Sequence, residues 1–264
     1  MTTRELIGLL PAAGRGTRLG PIPTSKEIMP LGFESIPEKM DAWRPFTTME
    51  SHLRAFAQAG IRRVAIVLGR GKFDIIDYLG SGERFGLEIA YLYQEQLRGM
   101  PFALDIAHPW VGAADTVFTM PDTLVQPEDT VTRLNTHHRS SGADLTLGLF
   151  ATDNPAKFGM VKIDGDGAKA RIVQFIDKPK QTTLKLMWGL AVWTPVFGAF
   201  MHKHLSTLSA DRPEYVLSDV FQAAVDAGMK VAHLDLVGSR YNDIGTPEEF
   251  QQVVRALDAR RPHG

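Results

Sequence analysis

Residues 9–32 read LLPAAGRGTRLGPIPTSKEIMPLG, and in them an apolar run that begins at Leu6 breaks into a loop of small residues and glycines. Glycine allows the main chain to approach a ligand closely, so a buried strand that ends in such a loop offers its backbone N–H groups to an anion. Arg18 and Lys26, eight positions apart, add the positive charge that a polyphosphate requires. The segment therefore predicts a phosphate-binding loop at the end of a first buried strand.

The spacing of the glycines excludes two common phosphate-binding loops. No G-x-x-x-x-G-K-[ST] pattern occurs, so the loop is not that of a P-loop NTPase. Gly14, Gly16 and Gly20 also do not give the G-x-G-x-x-G spacing of a dinucleotide-binding fold. The segment is therefore neither of these two common phosphate-binding loops.

The composition is that of a globular protein without an excess of either charge. The 264 residues are 44% apolar and 22% charged, with a formal net charge of -1, so no basic field favours nucleic acid. The absence of cysteine excludes disulfides and thiolate metal sites, and no run approaches ~18 apolar residues. The N-terminus reads as a first strand and not as a signal peptide. We expect a cytoplasmic protein that binds neither nucleic acid nor a membrane.

Strand and helix patterns alternate along the first 150 residues, which favours a mostly parallel sheet covered on both faces. Strands are predicted at Leu6–Leu10, Arg63–Leu68, Leu87–Tyr93, Thr116–Met120 and Ala143–Phe150, and helices at Thr47–Ala59, Lys72–Leu79, Pro101–His108 and Pro127–Ser141. Further on, the patterns predict a hairpin of Phe158–Ile163 with Ala170–Ile176, strands Leu186–Trp193 and Val231–Val237, and helices Val216–Ala227 and Glu248–Ala259. We expect one α/β domain over residues 1–264, with a Rossmann-like mixed sheet flanked by helices. Its halves are about 1–125 and 126–264.

Two carboxylates stand at the ends of apolar segments. Asp122 follows the strand predicted at Thr116–Met120, and Asp243 lies in the segment Arg240-Tyr241-Asn242-Asp243-Ile244-Gly245-Thr246. Open α/β sheets bind ligands at the carboxyl ends of their strands, and a carboxylate there suits Mg²⁺. Taken alone, each aspartate is better explained as a helix N-cap or a turn residue.

The chain as a whole resembles the sugar nucleotidyltransferases, or nucleotide-sugar pyrophosphorylases. Residues 14–30 resemble that family's G-x-G-T-R-[LM]…K-x-[ML]-[LV]-P pattern, with Ile28 and Met29 at its two apolar positions, and the similarity extends from about Leu6 to Leu257. Within that family, the chain resembles the bacterial glucose-1-phosphate thymidylyltransferases and UTP–glucose-1-phosphate uridylyltransferases. The resemblance implies a nucleoside triphosphate and a sugar 1-phosphate as substrates, magnesium as the cofactor, and a homo-oligomer as one possible state.

The resemblance also implies roles for individual residues. Those implied to bind the nucleotide are Ala13, Gly14, Gly16, Thr17, Gln94 and Gly99, with Arg18 and Lys26 as the catalytic cations. Those implied to bind the sugar phosphate are Gly159, Asp177, Lys178 and Gly189, and Asp122 and Asp243 are the implied ligands of Mg²⁺. A glutamine amide can accept from N3–H and donate to O4 of uracil or thymine, which favours a pyrimidine at Gln94.

The chain departs from the family pattern at several places. The eight-residue spacing from Arg18 to Lys26 is two shorter than usual, and Asp177 stands where relatives have glutamate. Met100-Pro101-Phe102 replaces smaller residues. The segment of residues 33–45 is longer than the usual link into the first helix, and its interpretation as a lid, an oligomer contact or an idle loop stays open. The choice between dTTP and UTP therefore stays open.

Two other functions stay open beside the transferase. One is a regulatory protein that binds a nucleotide sugar with little turnover, and the other is a cytidylyl- or guanylyltransferase with a non-sugar acceptor. Gln94 and the Asp177–Lys178 pair disfavour the latter.

Two structural expectations concern individual side chains. The four tryptophans, Trp43, Trp110, Trp188 and Trp193, are expected to pack in the core. Ser218 or Asp219 is expected to cap the helix predicted at Val216–Ala227.

Overall fold

The computed structural model describes residues 4–36, 42–209, 212 and 214–259. The strands in these residues are β1 (Leu6–Ala12), β2 (Gly32–Ser35), β3 (Trp43–Phe46), β4 (Arg63–Leu68), β5 (Glu88–Tyr93), β6 (Asp115–Thr119), β7 (Thr123–Gln126), β8 (Leu145–Ala151), β9 (Gly159–Asp164), β10 (Arg171–Asp177), β11 (Leu186–Trp193), β12 (Val231–Asp235) and β13 (Arg240–Asp243). The α-helices are α1 (Thr48–Gln58), α2 (Asp74–Leu79), α3 (Met100–Asp105), α4 (His108–Val111), α5 (Thr130–Ser141), α6 (Pro195–Ser206), α7 (Leu217–Asp226) and α8 (Pro247–Asp258).

Nine strands form one mixed sheet whose first part is parallel. Strands β6, β1, β4 and β5 lie side by side in parallel, and β11 joins the β6 edge in the antiparallel direction. Beyond β11 lie the parallel pair β8 and β12, and the β9–β10 hairpin meets β11 at Met187. Strands from both halves of the chain thus hydrogen-bond in a single sheet. The predicted fold class is confirmed.

Helices cover both faces of this sheet because its central strands are apolar on both sides. Residues 6–10 of β1 are all buried, as are residues 64–68 of β4. Apolar side chains of α1, α2 and α5 pack in one core cluster, and those of α3, α6 and α7 pack in a second cluster on the opposite face. The sheet's carboxyl ends are left open by this arrangement, and the loop that follows β1 lies there.

Short elements were missing from the prediction. Strands β7 and β13 have four residues each and pair with one another outside the main sheet, where so short a pattern carries little periodicity. Helix α6 was also missed, since Gly198 lies inside it and its exposed face carries Val196. In the long segment 33–45, the two ends form the β2–β3 hairpin, and residues 37–41 lie outside the described part.

Two side-chain expectations were wrong. Trp43 is 63% exposed on the β2–β3 hairpin, although Trp188 and Trp193 are buried as expected. Val216 is the N-cap residue of α7, so neither Ser218 nor Asp219 caps that helix. Ser218 instead accepts a 3.0 Å hydrogen bond from the indole N–H of Trp188. Among the described helices, none is both long and apolar enough to cross a membrane.

One histidine is buried between α5 and β8. The ring of His138 is 3% exposed, and its Nδ1 lies 2.8 Å from the hydroxyl of Thr146. Burial lowers the pKa of His138 to about 4, because the charged ring loses its hydration. The folded protein therefore holds this ring in its neutral form.

We expect His138 to make the free energy of unfolding depend on pH. As the pH falls from 6.5 towards 4, the unfolded chain takes up a proton that the folded chain refuses, so stability is lost over that window, by up to about 3 kcal/mol. His138→Asn should remove this part of the loss in urea unfolding at pH 7, 5.5 and 4.5, whereas the neighbouring His137→Asn should retain it. Equal losses in parent and His138→Asn would contradict the assignment.

Candidate active site

Most of the predicted site residues line two adjoining cavities at the carboxyl end of the sheet. The larger, about 670 Å³, is lined by Ala13, Gly14, Thr17, Arg18, Lys26, Gln94, Gly99, Asp122 and Lys178. The smaller, about 160 Å³, is lined by Arg18, Asp122, Gly159, Asp177, Lys178 and Asp243. Because Arg18, Asp122 and Lys178 line both, the two cavities meet at these residues. Gly16 lines a third cavity, of about 930 Å³, beside Lys26 and Gln94.

A buried ion pair lies where the cavities meet. The ammonium of Lys26 donates a hydrogen bond to Oδ2 of Asp122, and both residues are buried. Burial alone would lower the pKa of Lys26, but the Asp122 carboxylate outweighs it and raises that pKa. Lys26 is therefore held as a cation. Oδ1 of Asp122 is buried and accepts no hydrogen bond from the described residues.

The second aspartate is brought beside the first by the β7–β13 pair. Asp243 lies opposite Thr123 in that pair, and the backbone N–H of Ile244 donates to the carbonyl oxygen of Asp122 at 3.2 Å. Burial and the nearby negative charge of Asp122 raise the pKa of Asp243 to about 6. Two carboxylates from distant parts of the sequence thus share one small volume.

This pair of carboxylates fits a magnesium ion. Mg²⁺ is usually bound by one or two protein carboxylates and keeps its other positions for water and substrate phosphates. Asp122 contributes a buried oxygen without a hydrogen-bond partner among the described residues. Asp243 adds a second carboxylate, whose ionised form is made less favourable by burial. No group of three or more His, Cys, Asp or Glu side chains among the described residues is arranged around a common point. Two carboxylates would leave the other positions of a bound Mg²⁺ to water and phosphate oxygens.

Arg18 and Asp243 lie on either side of Gly245, which has no side chain to fill the space between them. A Cβ on Gly245 would lie 3.0 Å from both the Arg18 guanidinium and Oδ1 of Asp243. The backbone N–H of Gly245 donates to the same Oδ1 at 2.8 Å. Gly245 therefore leaves room for the guanidinium and the carboxylate on either side of it.

Gln94 presents an unused amide to the larger cavity. Its backbone N–H donates to the carbonyl of Leu68 at 2.8 Å, which fixes it at the end of β5. The residue is 4% exposed, and its Nε2 has no hydrogen-bond acceptor among the described residues. A buried amide without a partner costs free energy, so a ligand that accepts from Nε2 would be stabilised there.

One wall of the smaller cavity is built from the ends of β9 and β10. Asp177 is opposite Gly159 in the hairpin, and Lys178 follows with φ of 44°, which is unusual for a residue other than glycine. The backbone N–H of Lys178 donates to the carbonyl of Phe158 at 3.0 Å, which holds this turn. Burial raises the pKa of Asp177, against the effect of Lys178. Strain of this kind persists where the surrounding structure enforces it.

Gly189 does not reach either cavity. A Cβ at this position would lie 2.6 Å from the ring of Tyr241 and 2.8 Å from that of Phe150. Tyr241 itself lines the smaller cavity beside Asp243. Gly189 therefore lies beneath the cavity wall and makes room for the ring that forms it.

Comparison with known proteins gives the family. The family model described as nucleotidyl transferase matches residues 7–260. This chain belongs to the nucleotidyl transferase family. Over 253 residues, or 93% of the chain, it is 28% identical to the low-salt glycan biosynthesis nucleotidyltransferase of Haloferax volcanii. Over 254 residues, or 94% of the chain, it is 26% identical to the glucose-1-phosphate thymidylyltransferase of Streptomyces antibioticus. The predicted resemblance is confirmed.

The solved structures agree on the fold of this nucleotidyl transferase. A Bacillus anthracis protein described as a glucose-1-phosphate thymidylyltransferase, crystallised with sucrose, superposes with a TM-score of 0.82 at 20% identity. That match covers 98% of this chain and 97% of the other. The chain covers only 64% and 65% of the lengths of the Haloferax and Streptomyces relatives.

Several cavity-lining side chains of the nucleotidyl transferase carried no recognisable signal in the sequence. Lys157 lines both cavities and forms an ion pair with Glu249 of α8, and Glu214 also lines both. Lys72 and Asp74 line the third cavity beside Lys26. Lys72 lies at the start of the helix predicted at Lys72–Leu79, with nothing in that pattern to indicate a site. The contacts of these side chains are made with residues that are far away in sequence.

Gly99 has a structural role in addition to the predicted contact with a base. It has φ of 105°, and a Cβ there would overlap the carbonyl oxygen of Tyr215, with which Gly99 forms a parallel bridge. Residues 98–100 are therefore held against residue 215, which forms part of the smaller cavity's wall.

We expect Gly99→Ala to lower the free energy of unfolding by several kcal/mol, since it combines backbone strain of about 1–2 kcal/mol with a backbone overlap. Gly112→Ala is the matched control, because Gly112 has φ of 58° but no atom within 4 Å of its added Cβ. It should show the strain alone in urea unfolding. Equal destabilisation of the two variants would contradict the close contact with Tyr215.

Proposed function

We propose that this chain transfers a nucleotidyl group from a nucleoside triphosphate to a sugar 1-phosphate and releases pyrophosphate. The observation that carries the proposal is the buried Lys26–Asp122 pair at the junction of two cavities, with Asp243 and Arg18 beside it. One cavity presents the glycine loop and Gln94, and the other presents Asp177 and Lys178. A donor and an acceptor could therefore meet at the charged centre between them.

The chemistry proposed for this centre needs no covalent enzyme intermediate. An oxygen of the sugar phosphate attacks the α-phosphorus in line, the new P–O bond forms, and the bond to the β-phosphate oxygen breaks as pyrophosphate leaves. Lys178 would orient the attacking phosphate, and Lys26 and Arg18 would stabilise the negative charge that develops on the phosphates. Asp122 and Asp243 would hold Mg²⁺, which supplies charge neutralisation when bound.

A pyrimidine triphosphate is the proposed donor. The unpartnered Nε2 of Gln94 can donate to O4 of uracil or thymine while Oε1 accepts from N3–H. The Streptomyces antibioticus relative is a glucose-1-phosphate thymidylyltransferase, which supports dTTP with glucose 1-phosphate. UTP satisfies the same two hydrogen bonds, so both nucleotides are included in the test.

The direct test measures pyrophosphate release in a grid of dTTP, UTP, CTP, GTP and ATP against several hexose 1-phosphates. Release is expected with dTTP or UTP, and chelation of Mg²⁺ should abolish it. Release with a purine triphosphate alone would contradict the role of Gln94. Nucleotide binding by folded protein without any turnover would instead favour a regulatory protein that binds nucleotide sugars.

Lys26→Ala should lower kcat by about a hundredfold, the scale for loss of one group that stabilises developing charge. The matched control is Lys169→Ala, which removes an exposed lysine from the β9–β10 connection, away from both cavities. Circular dichroism should first show that both variants are folded, because Lys26→Ala leaves Asp122 unpaired. Unchanged kcat in folded Lys26→Ala would remove this lysine from the mechanism.

A further inference from the structure

The catalytic lysine proposed above lies in a segment with little regular structure. Arg18 lies in a single turn of 3-10 helix at Thr17–Leu19, and Lys26 begins another at Lys26–Ile28. The residues that join the two turns are rich in proline and glycine. Ordering a long lysine side chain costs up to about 2 kcal/mol of conformational entropy. A segment of this kind therefore needs external contacts to hold Lys26 at Asp122.

One set of contacts lies directly before Lys26. The carboxylate of Asp74 accepts three hydrogen bonds from the two residues that precede Lys26. The hydroxyl of Thr24 donates one at 2.8 Å, and the N–H and the hydroxyl of Ser25 donate one each at 2.6 Å. Burial alone would raise the pKa of Asp74, but these hydrogen bonds outweigh it and lower that pKa. The carboxylate is thus ionised, and hydrogen bonds to an ionised acceptor are the stronger kind.

A second set of contacts lies directly after Lys26. Glu27 accepts a 2.7 Å hydrogen bond from the ammonium of Lys72, and both side chains are buried. The carbonyl oxygen of Glu27 accepts a further hydrogen bond from the hydroxyl of Thr48, at 3.1 Å. The residue on each side of Lys26 is therefore held by the same short segment, residues 72–74.

These contacts leave Lys26 with its backbone held on both sides and its ammonium directed at Asp122. We propose that Asp74 is a positioning residue that fixes the Thr24–Ser25 backbone and thereby holds Lys26 in reach of the nucleotide phosphates. The inference rests on the proposed function for the role of Lys26. Asp74 acts through Lys26 and contacts no reacting atom itself.

A kinetic double-mutant cycle separates positioning from general stability. Asp74→Ala should lower kcat by about tenfold to a hundredfold, the scale of small misplacements of a reacting group. In the Lys26→Ala background the same change should lower kcat by less than about twofold, because the group that it positions is already gone. Equal falls in both backgrounds would overturn the proposal.

Two further variants sharpen the result. Asp74→Asn keeps one acceptor oxygen and should recover part of the kcat lost in Asp74→Ala. Asp77→Asn removes an exposed carboxylate from the same helix, and it should leave kcat unchanged. A fall in kcat for Asp77→Asn as large as that for Asp74→Ala would show a non-specific effect of charge and overturn the proposal.

A readout that needs no turnover keeps this proposal distinct from the proposed function. Acetylation by an amine-reactive ester, followed by mass spectrometry, should be slow at Lys26 in the parent, where the residue is 8% exposed. Asp74→Ala should raise the rate at Lys26 several-fold, and Asp77→Asn should not. If the parent releases no pyrophosphate in the grid, the proposed function fails while the labelling still decides the positioning. Unchanged labelling at Lys26 in Asp74→Ala overturns it.

Discussion

The site depends on the burial of two carboxylates next to one another. Asp122 and Asp243 both line the smaller cavity, and the negative charge of Asp122 helps to raise the pKa of Asp243. Lys26 compensates Asp122 through a direct ion pair, and Arg18 lies beside Asp243. A cluster of this kind is costly for folding unless further positive charge enters it. The divalent cation of the proposed function would supply that charge.

The fold meets this requirement through short elements at the carboxyl ends of long ones. The parallel strands β1 and β6 bring the loop of Lys26 and the segment of Asp122 to the same edge of the sheet. The β7–β13 pair brings Asp243 beside Asp122, and residues 72–74 at the start of α2 hold the residues on both sides of Lys26. The long elements thus set the position of the edge, and the short ones set the distances within the site.

The sequence was most informative where apolar patterns are long. The strand predicted at Arg63–Leu68 and the strand predicted at Leu186–Trp193 have the bounds of β4 and β11. The hairpin of β9 and β10 was also predicted, since its turn residues lie between two β-rich runs. In contrast, β7 and β13 are too short to show periodicity, and their pairing joins residues more than a hundred positions apart. The resemblance supplied Asp243, but no local pattern could place it beside Asp122.

Contacts that depend on tertiary structure were the least accessible. Asp74 is fifty positions from Thr24, and the pairing of Lys72 with Glu27 spans forty-five, so neither has a local signature. Exposure was misjudged at Trp43 because aromatic composition indicates burial on average but not at one position.

The measurement that tests the central claim most directly is the position of a divalent cation in crystals grown with Mn²⁺ and a nucleotide sugar. Mn²⁺ replaces Mg²⁺ and is located by its anomalous scattering. The account predicts one peak about 2 Å from carboxylate oxygens of both Asp122 and Asp243, in contact with the α-phosphate. A nucleotide bound with its metal elsewhere, or with its base away from Gln94, would contradict it.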